Sequence, residues 1–428
     1  MSEPRCQAYY TATANKESYP ELLGQQRADV VVIGGGFTGV NTALELAERG
    51  YNVALVEANK IGWGASGRNG GQVTGSLSGD AAMHREMRKT LGESADDFIW
   101  NLRWHGHDII QSRIEKYAID CDLKFGHLHA AYKPSHMKVL QQSYDEALRR
   151  GMGDDIELVQ RRDIPQYLET GLYHGALYNR KNMHLHPLNL CLGEARAAAS
   201  IGVAIYENSP AIAIEHGSQP TVITPQGRIK TNTVFIAGNA YHRLERHTMS
   251  GKIFPAAGGI VATAPLGDEV ADAINPKDVA VYDCRFVLDY FRLTADRRLL
   301  FGGGASYSGK PSRNIEAELR PAIEKTFPRL KGVPIEYRWS GMMGIVINRI
   351  PQLGRLTDNI YYAQGYSGHG IATSHIVGEI MAKVIDGQSA DFDVFAKCRH
   401  VRVPGGEWLG NGLLVLGMWY YQLKEVFR

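Results

Sequence analysis

The sequence predicts an α/β fold built in two parts. Three observations carry this. Ala28–Ile33 and Asn52–Val56 are short apolar runs separated by a glycine turn and a helical pattern, the order of a parallel strand–helix–strand unit. Residues 253–264 and 281–304 are dense in β-formers and turn residues, which suggests an antiparallel sheet. Near the end, Asn359–Ala363 is again a strand, followed by a glycine-rich turn and a helix. The chain thus starts a Rossmann-like unit, builds a mixed, largely antiparallel sheet in an α+β part, and returns.

Each element has its own reason. Residues 1–27 show little periodicity. Ala28–Ile33 (ADVVVI) is β-branched and bounded by glycine, which suits a strand covered on both faces. In Val40–Arg49, Val40, Ala43, Leu44 and Ala47 share one face, and Gly50 stands where a glycine ends a helix. NVALV is the second strand, closed by Glu57. Gly62–Gly79 carries glycine at 62, 64, 67, 70, 71, 75 and 79, a loop whose backbone must approach something closely or adopt positive φ. Residues 84–150 read as two or three amphipathic helices with a short strand near Phe125–Ala131, and His186–Ala199 as another helix. Val203–Tyr206, Ala211–Glu215, Thr221–Thr224 and Thr233–Ala237 read as strands in hairpin-like pairs. Asn314–Phe327 is helical, and the last helix runs from about Ile371 to Ile385.

Composition narrows the function. The 428 residues allow two to three domains, and 44% apolar with 21% charged residues excludes disorder as the main state. Lys+Arg number 47 and Asp+Glu 45, a net charge of +2 that gives no electrostatic footprint for nucleic acid. The five cysteines, Cys6, Cys121, Cys191, Cys284 and Cys398, are widely spaced without a CxxC, which speaks against a disulfide framework or a paired-cysteine zinc site and for a reducing, cytoplasmic setting. The opening MSEPRCQAYYTATANKE lacks the basic and apolar regions of a signal peptide. The apolar run Leu413–Tyr421 is too short to span a bilayer; with Lys424 and Arg428 behind it, it either docks on the protein or makes peripheral membrane contact.

Gly34-Gly35-Gly36-Phe37-Thr38-Gly39 is a GxGxxG directly after a strand and opening a helix. Gly34 allows the tight turn, Gly36 lets a pyrophosphate approach the backbone, and Gly39 lets the helix pack on the strand. Glu57, 21 residues beyond Gly36, stands where an acid takes a ribose hydroxyl. This is a dinucleotide site for NAD or FAD. The glycine loop after the second strand, the return to Thr233–Ala237 followed by Gly238, and the closing strand–turn–helix mean that distant segments reach the cofactor, which fits the longer FAD.

The GGGFTG motif with Glu57, the stretch Gly64-Ala65-Ser66-Gly67-Arg68-Asn69-Gly70-Gly71-Gln72 and the turn Gly365-Tyr366-Ser367-Gly368-His369-Gly370 together resemble the D-amino acid oxidase superfamily of flavoenzymes, which includes glycine and sarcosine oxidases. Within it, GASGRNGGQ and the PGG…LGMWYY tail most resemble the γ-glutamylputrescine oxidoreductases. The resemblance implies a discontinuous FAD-binding domain over 25–90, 145–245 and 340–390, a substrate domain over 91–144 and 246–339, and a C-terminal extension over 391–428. It implies oxidation of an amine C–N bond to an imine with hydride passing to FAD, and reoxidation by oxygen or another acceptor. The alternative is an amino acid oxidase or dehydrogenase feeding a quinone.

The resemblance also assigns residues. Ala65, Ser66, Arg68, Asn69, Gly70, Gly71 and Gln72 would run along the flavin, and Gly365, Tyr366, Ser367, Gly368, His369 and Gly370 would present a helix N-terminus to its pyrimidine edge. His369 would touch the flavin. Tyr290 and Arg292 would lie over it, with Arg292 a candidate holder of a substrate carboxylate; alternation alone does not fix which face they occupy. Trp339 is either a pocket wall or core. Relatives that attach flavin covalently use a Cys before the last FAD strand or an N-terminal His; here Cys284 and Cys398 have no Cys between them and the first His is His84, so FAD should be non-covalent. Ala372 replaces a carboxylate-binding Lys of the sarcosine oxidase-like members, which favours an amine substrate. His184 and His186 form an HxH pair with no further metal ligand in view.

Overall fold

Val30–Ile33 and Val53–Val56 are buried along their whole length because helices cover one face of the sheet they share and a small sheet carrying Val222 and Ile229 covers the other. In the computed structural model, which describes residues 8–404 together with 410, 412 and 415, that sheet has six strands. Their order is Gln352–Thr357, Ile360–Gln364, Thr233–Ile236, Val30–Ile33, Val53–Val56 and Ala204–Tyr206. All neighbours are parallel except Gln352–Thr357, which returns antiparallel on Ile360–Gln364. Helices Phe37–Glu48, Pro187–Ser200 and Gly370–Ile385 pack together over one face, and their buried residues join the largest apolar cluster.

A nine-stranded sheet forms the second part. Its path is Ile335–Ile345, Phe254–Thr263, Leu299–Ser306, Tyr290–Leu293, Ala280–Asp283, Lys124–Ala130, Gly175–His184 and Gln72–Val73, with Ile156–Gln160 paired to Gly175–His184. One pair, Ala280–Asp283 with Lys124–Ala130, is parallel and the others are antiparallel. Its outer face buries Leu128, Val281, Phe291 and Phe301 against Leu319 and Ile323 of helix Ile315–Thr326. Since side chains alternate, the residues between them face inward. Register places His129 opposite Tyr282, Tyr282 opposite Tyr290, and Tyr290 opposite Gly302, one row across four strands. A small sheet, Gly24–Arg27, Gly227–Lys230, Thr221–Ile223 and Ala213–Glu215, completes the architecture.

The two-part α/β architecture agrees with the sequence expectation, and two details differ. Ala204–Tyr206 and Thr233–Ile236 are not hairpin partners of their neighbours; each enters the six-stranded sheet in parallel. The expected segment boundaries also shift. Ile156–Gln160, Gly175–His184 and Ile335–Ile345 belong to the nine-stranded sheet, so the chain re-enters the Rossmann-like part at Pro187 and again at Gln352 rather than at 145 and 340. The apolar run Leu413–Tyr421 lies outside the described residues apart from Val415. Among the described residues no helix is long and apolar enough to cross a membrane.

Candidate active site

The first glycine turn is fixed by contacts no side chain would tolerate. Gly34 has φ +114°, and its N–H donates to Val56 O at 2.9 Å. A Cβ on Gly39 would overlap the Gly34 carbonyl oxygen and lie 3.1 Å from both the Gly34 carbonyl carbon and Val32 Cγ1. Helix Phe37–Glu48 therefore starts directly at the strand end, with Gly36 as its side-chain-free N-cap. Ser66 Oγ, 2.9 Å from the Phe37 amide, closes this N-terminus from the loop side. Glu57 accepts from Gly35 N at 2.7 Å and Asn59 N at 2.8 Å, while burial lifts its carboxyl above the ordinary range. Gly238 follows Thr233–Ile236 and lies against Gly34.

The loop after Ile61 is folded by its own side chains. Asn69 donates to the carbonyls of Ala65 (3.0 Å) and Ser66 (2.9 Å) and accepts from Gly71 N (2.8 Å). Arg68 donates to Trp63 O at 2.8 Å and Ser340 O at 3.3 Å and lies over the Trp63 ring, while Trp339 Nε1, buried in the core, donates to Arg68 O. Gly70 meets the Tyr290 ring, which a Cβ would approach to 2.6 Å. Tyr290 itself lies flat over Gly302, where any side chain would collide with it.

The closing turn sits beside the first one. Tyr366 OH and Thr38 Oγ1 are 2.6 Å apart, so the N-termini of helices Phe37–Glu48 and Gly370–Ile385 converge. Gly365 (φ +85°), Ser367 (φ +51°) and Gly368 (φ +98°) bend the turn, and Asn239 accepts from Gly365 N at 3.0 Å. Ser367, a non-glycine held left-handed, is fixed by its amide on Gly344 O at 3.0 Å. His369 occupies the N-cap position of the helix without a side-chain cap bond; burial holds its imidazole down at about 4, and among the described residues its buried Nδ1 has no hydrogen-bond partner.

Two convergent helix N-termini, a glycine cradle and an orphaned imidazole nitrogen suit a long anionic dinucleotide with a ring system. The contacts Gly34 with Gly238, Phe37 with Ser66 and Thr38 with Tyr366 bring residues of these distant segments together here. The candidate catalytic group divides. Tyr290 and Arg292 face the same way, toward Gly70 and Gly71. Arg292, however, is buried and four of its five N–H groups are taken: it donates to Gly70 O (3.0 Å), Leu293 O (3.1 Å), Leu185 O (2.8 Å) and Tyr10 OH (3.3 Å), and Asp122 Oδ2 lies 4.0 Å from its Nη1. The expectation that it holds a substrate carboxylate is corrected accordingly: it ties the loop at Gly70 and Leu185 to the sheet.

Sequence reasoning passed over the wall opposite the closing turn. His127 and His129 flank the Tyr282 ring at 4.7 and 4.3 Å. Gln72 donates to Val281 O and Phe291 O, so its Oε1 faces His127 Nε2 as acceptor at 3.1 Å. His129 Nε2 lies 3.2 Å from Cys284 Sγ; burial holds that imidazole at about 3 and lifts the thiol to about 12, so the thiol donates to a neutral ring. The spacing of two histidines on one expected strand was the available signal. His184 and His186 diverge instead: His184 Nε2 reaches Asp278 O, whereas His186 caps helix Pro187–Ser200. Among the described residues no cluster of His, Cys, Asp and Glu suits a metal.

This neutral wall has a pH signature. Burial depresses His127 from the ordinary 6.5 to about 3. Between those values the unfolded chain binds a proton that the folded chain refuses, so stability is lost as pH falls from 6.5 toward 3. One such imidazole costs about 2 kcal/mol at pH 5. Chemical denaturation from pH 7 to 4 is expected to give a slope one proton shallower in His127→Asn than in the parent. An unchanged slope overturns the assignment.

Comparisons with known proteins agree with this geometry. The family model described as FAD dependent oxidoreductase matches residues 29–384. The chain is 38% identical to the gamma-glutamylputrescine oxidoreductase of Escherichia coli K12 over 421 residues, 98% of each chain. It is 24% identical to the glycine oxidase of Bacillus subtilis, covering 85% of this chain and 95% of that one. Among solved structures, glycine oxidase from Geobacillus kaustophilus superposes with a TM-score of 0.72 at 22% identity, covering 88% of this chain and 100% of that one.

Proposed function

The chain belongs to the FAD-dependent oxidoreductase family, and we propose that it oxidises the C–N bond of an alkylamine, of the γ-glutamylated polyamine class, to an imine. FAD, held non-covalently, supplies the two-electron acceptor. The helix N-terminus opened at Gly36 would receive the pyrophosphate, Glu57 a ribose hydroxyl, and the loop Ala65–Gln72 the length of the cofactor. The turn Gly365–Gly370, with the helix N-terminus behind it, would stabilise the negative charge that builds up on the ring system. Tyr290, lying on Gly302, and His369 border the space left for the amine.

One observation carries the substrate class. A substrate α-carboxylate needs a cation, and Arg292, a cation on this wall, spends its donors on backbone carbonyls and Tyr10. Ala372, in the first turn of the closing helix, is buried and offers no charge. His127, His129 and His369 are neutral near pH 7, since burial holds all three well below it. Such a pocket favours a substrate whose reacting end is a plain amine. The likeness to the E. coli enzyme over the whole chain supports the glutamylated class. The free thiols Cys121, Cys191, Cys284 and Cys398 support a cytoplasmic setting.

The test is anaerobic mixing of the yellow protein with γ-glutamylputrescine, putrescine, sarcosine and D-alanine while flavin absorbance is followed. Bleaching by γ-glutamylputrescine, with no bleaching by the two amino acids, is expected. Bleaching by sarcosine or D-alanine overturns the reading in favour of an amino acid oxidase or a quinone-linked dehydrogenase. Reoxidation with oxygen against a soluble quinone then identifies the electron acceptor.

A further inference from the structure

Behind the two convergent helix N-termini lies a buried polar cluster that takes no part in the site described above. His375, in helix Gly370–Ile385, and Glu194, in helix Pro187–Ser200, are both fully buried. His375 Nδ1 is 2.6 Å from the Ile371 carbonyl oxygen, and Nε2 is 2.9 Å from Glu194 Oε1. A carbonyl only accepts, so Nδ1 carries a hydrogen. Nε2 and the carboxylate oxygen would then meet lone pair to lone pair unless a proton lies between them.

The surroundings fit that extra proton. Glu194 Oε2 accepts from Asn41 Nδ2 at 3.2 Å, and Oε1 is 3.4 Å from Arg113 Nη1. Arg113 Nη2 pairs with Glu45 Oε1 at 2.7 Å. Glu45 also pairs through Oε2 with Arg49 Nη2 at 3.3 Å, so Glu194 shares its one guanidinium with Glu45, and a proton on the Nε2···Oε1 contact gives this fully buried carboxylate a second positive neighbour. The cluster ties together four helices: Phe37–Glu48 through Asn41 and Glu45, Ala95–Lys116 through Arg113, and the two that carry Glu194 and His375. Helices Phe37–Glu48 and Gly370–Ile385 also touch at Gly378, where a Cβ would come within 2.7 Å of Asn41 Cβ. The Phe37 and His375 rings lie 5.1 Å apart. A shift of His375 is therefore passed directly to the residue that opens the first helix.

We propose that Glu194 and His375 form a proton-holding positioning pair, whose Nε2···Oε1 contact retains one proton and thereby sets the spacing of the two helix N-termini that receive FAD. The inference rests on the reading that FAD lies against both N-termini.

Two measurements test it. The first is 15N NMR of histidine side chains in the holoenzyme at pH 7.5, with His375→Leu for assignment. Both His375 nitrogens are expected to be protonated or to share the proton with Glu194; a neutral ring with a bare Nε2 overturns the proposal whatever FAD does. The second is flavin titration of apoprotein. Glu194→Gln puts an amide N–H opposite a neutral Nε2 and keeps the hydrogen bond, so FAD affinity should stay within about 3-fold of the parent, while Glu194→Leu should weaken it by about 30-fold or more. Equal affinities for the Gln and Leu variants, whether both intact or both weak, overturn the positioning role. Failure of the parent apoprotein to bind FAD would instead strike at the cofactor reading.

Discussion

Gly39→Ala is expected to yield a colourless protein. The added Cβ would overlap the Gly34 carbonyl oxygen and lie 3.1 Å from the Gly34 carbonyl carbon. Both atoms are backbone, at the turn where Gly34 already holds φ +114°. No side-chain rotation relieves the clash, so helix Phe37–Glu48 must retreat from strand Val30–Ile33. That would carry the helix N-terminus away from the proposed pyrophosphate position. FAD affinity should fall by about 100-fold or more, and stability by about 3 kcal/mol. Gly36→Ala is a useful contrast. There the Cβ meets Ser66 Oγ at 2.9 Å, the end of a side chain that can rotate away. The stability lost by the apoprotein is then the cap on Phe37 N, about 1 kcal/mol. Flavin absorbance per mole of purified protein and the Tm of both apoproteins check the pair. A yellow Gly39→Ala protein with the parent Tm would refute the argument.

What the sequence disclosed and what it concealed follow from the range of the interactions. The GGGFTG turn, Glu57 and the closing SGHG turn sit at strand–helix junctions: Gly39 answers the Gly34 carbonyl five residues back and Gly34 the end of the strand beside it, so the residue type names the constraint. The helices Phe37–Glu48, Ile315–Thr326 and Gly370–Ile385 are equally local, because a buried stripe repeats within each. Strand partners are not local. Ala204–Tyr206 pairs with Val53–Val56 from far along the chain, and nothing near residue 204 encodes that choice. Gly175–His184 escaped notice because its polar run, from Asn179 to Asn182, hides the alternation that a one-sided strand shows. Arg292 was visible as a residue but not as a role. Its strand is covered on both sides, so alternation says that Tyr290 and Arg292 share a face and leaves open what that face meets. The two HxH pairs make the same point. They look alike in sequence, yet His127 and His129 stay on one strand while a helix starts at Pro187 and separates His184 from His186.

Arg292 offers the sharpest separation between a residue that binds substrate and one that builds the site. Arg292→Met keeps the length of the side chain and removes its donors. The carbonyls of Gly70, Leu185 and Leu293 then lose their partner in a buried setting. An unsatisfied buried acceptor costs 1–3 kcal/mol, so a total of about 4 kcal/mol is expected once partial relaxation is allowed. The Tm should drop by about 8 °C or more. Lys supplies a single point of charge where a planar fork now spans loop and sheet, so Arg292→Lys should recover only part of the loss. Protein that remains folded should keep its KM for the amine within about 3-fold, because the guanidinium does not face the substrate. FAD should dissociate faster from both variants, since Gly70 and Gly71 are no longer pinned beneath Tyr290. A carboxylate clamp predicts the reverse: a Tm close to that of the parent with a KM raised by about 100-fold. Thermal denaturation and steady-state kinetics on the same two variants therefore decide between a guanidinium that recognises the substrate and one that holds the loop on which the cofactor lies.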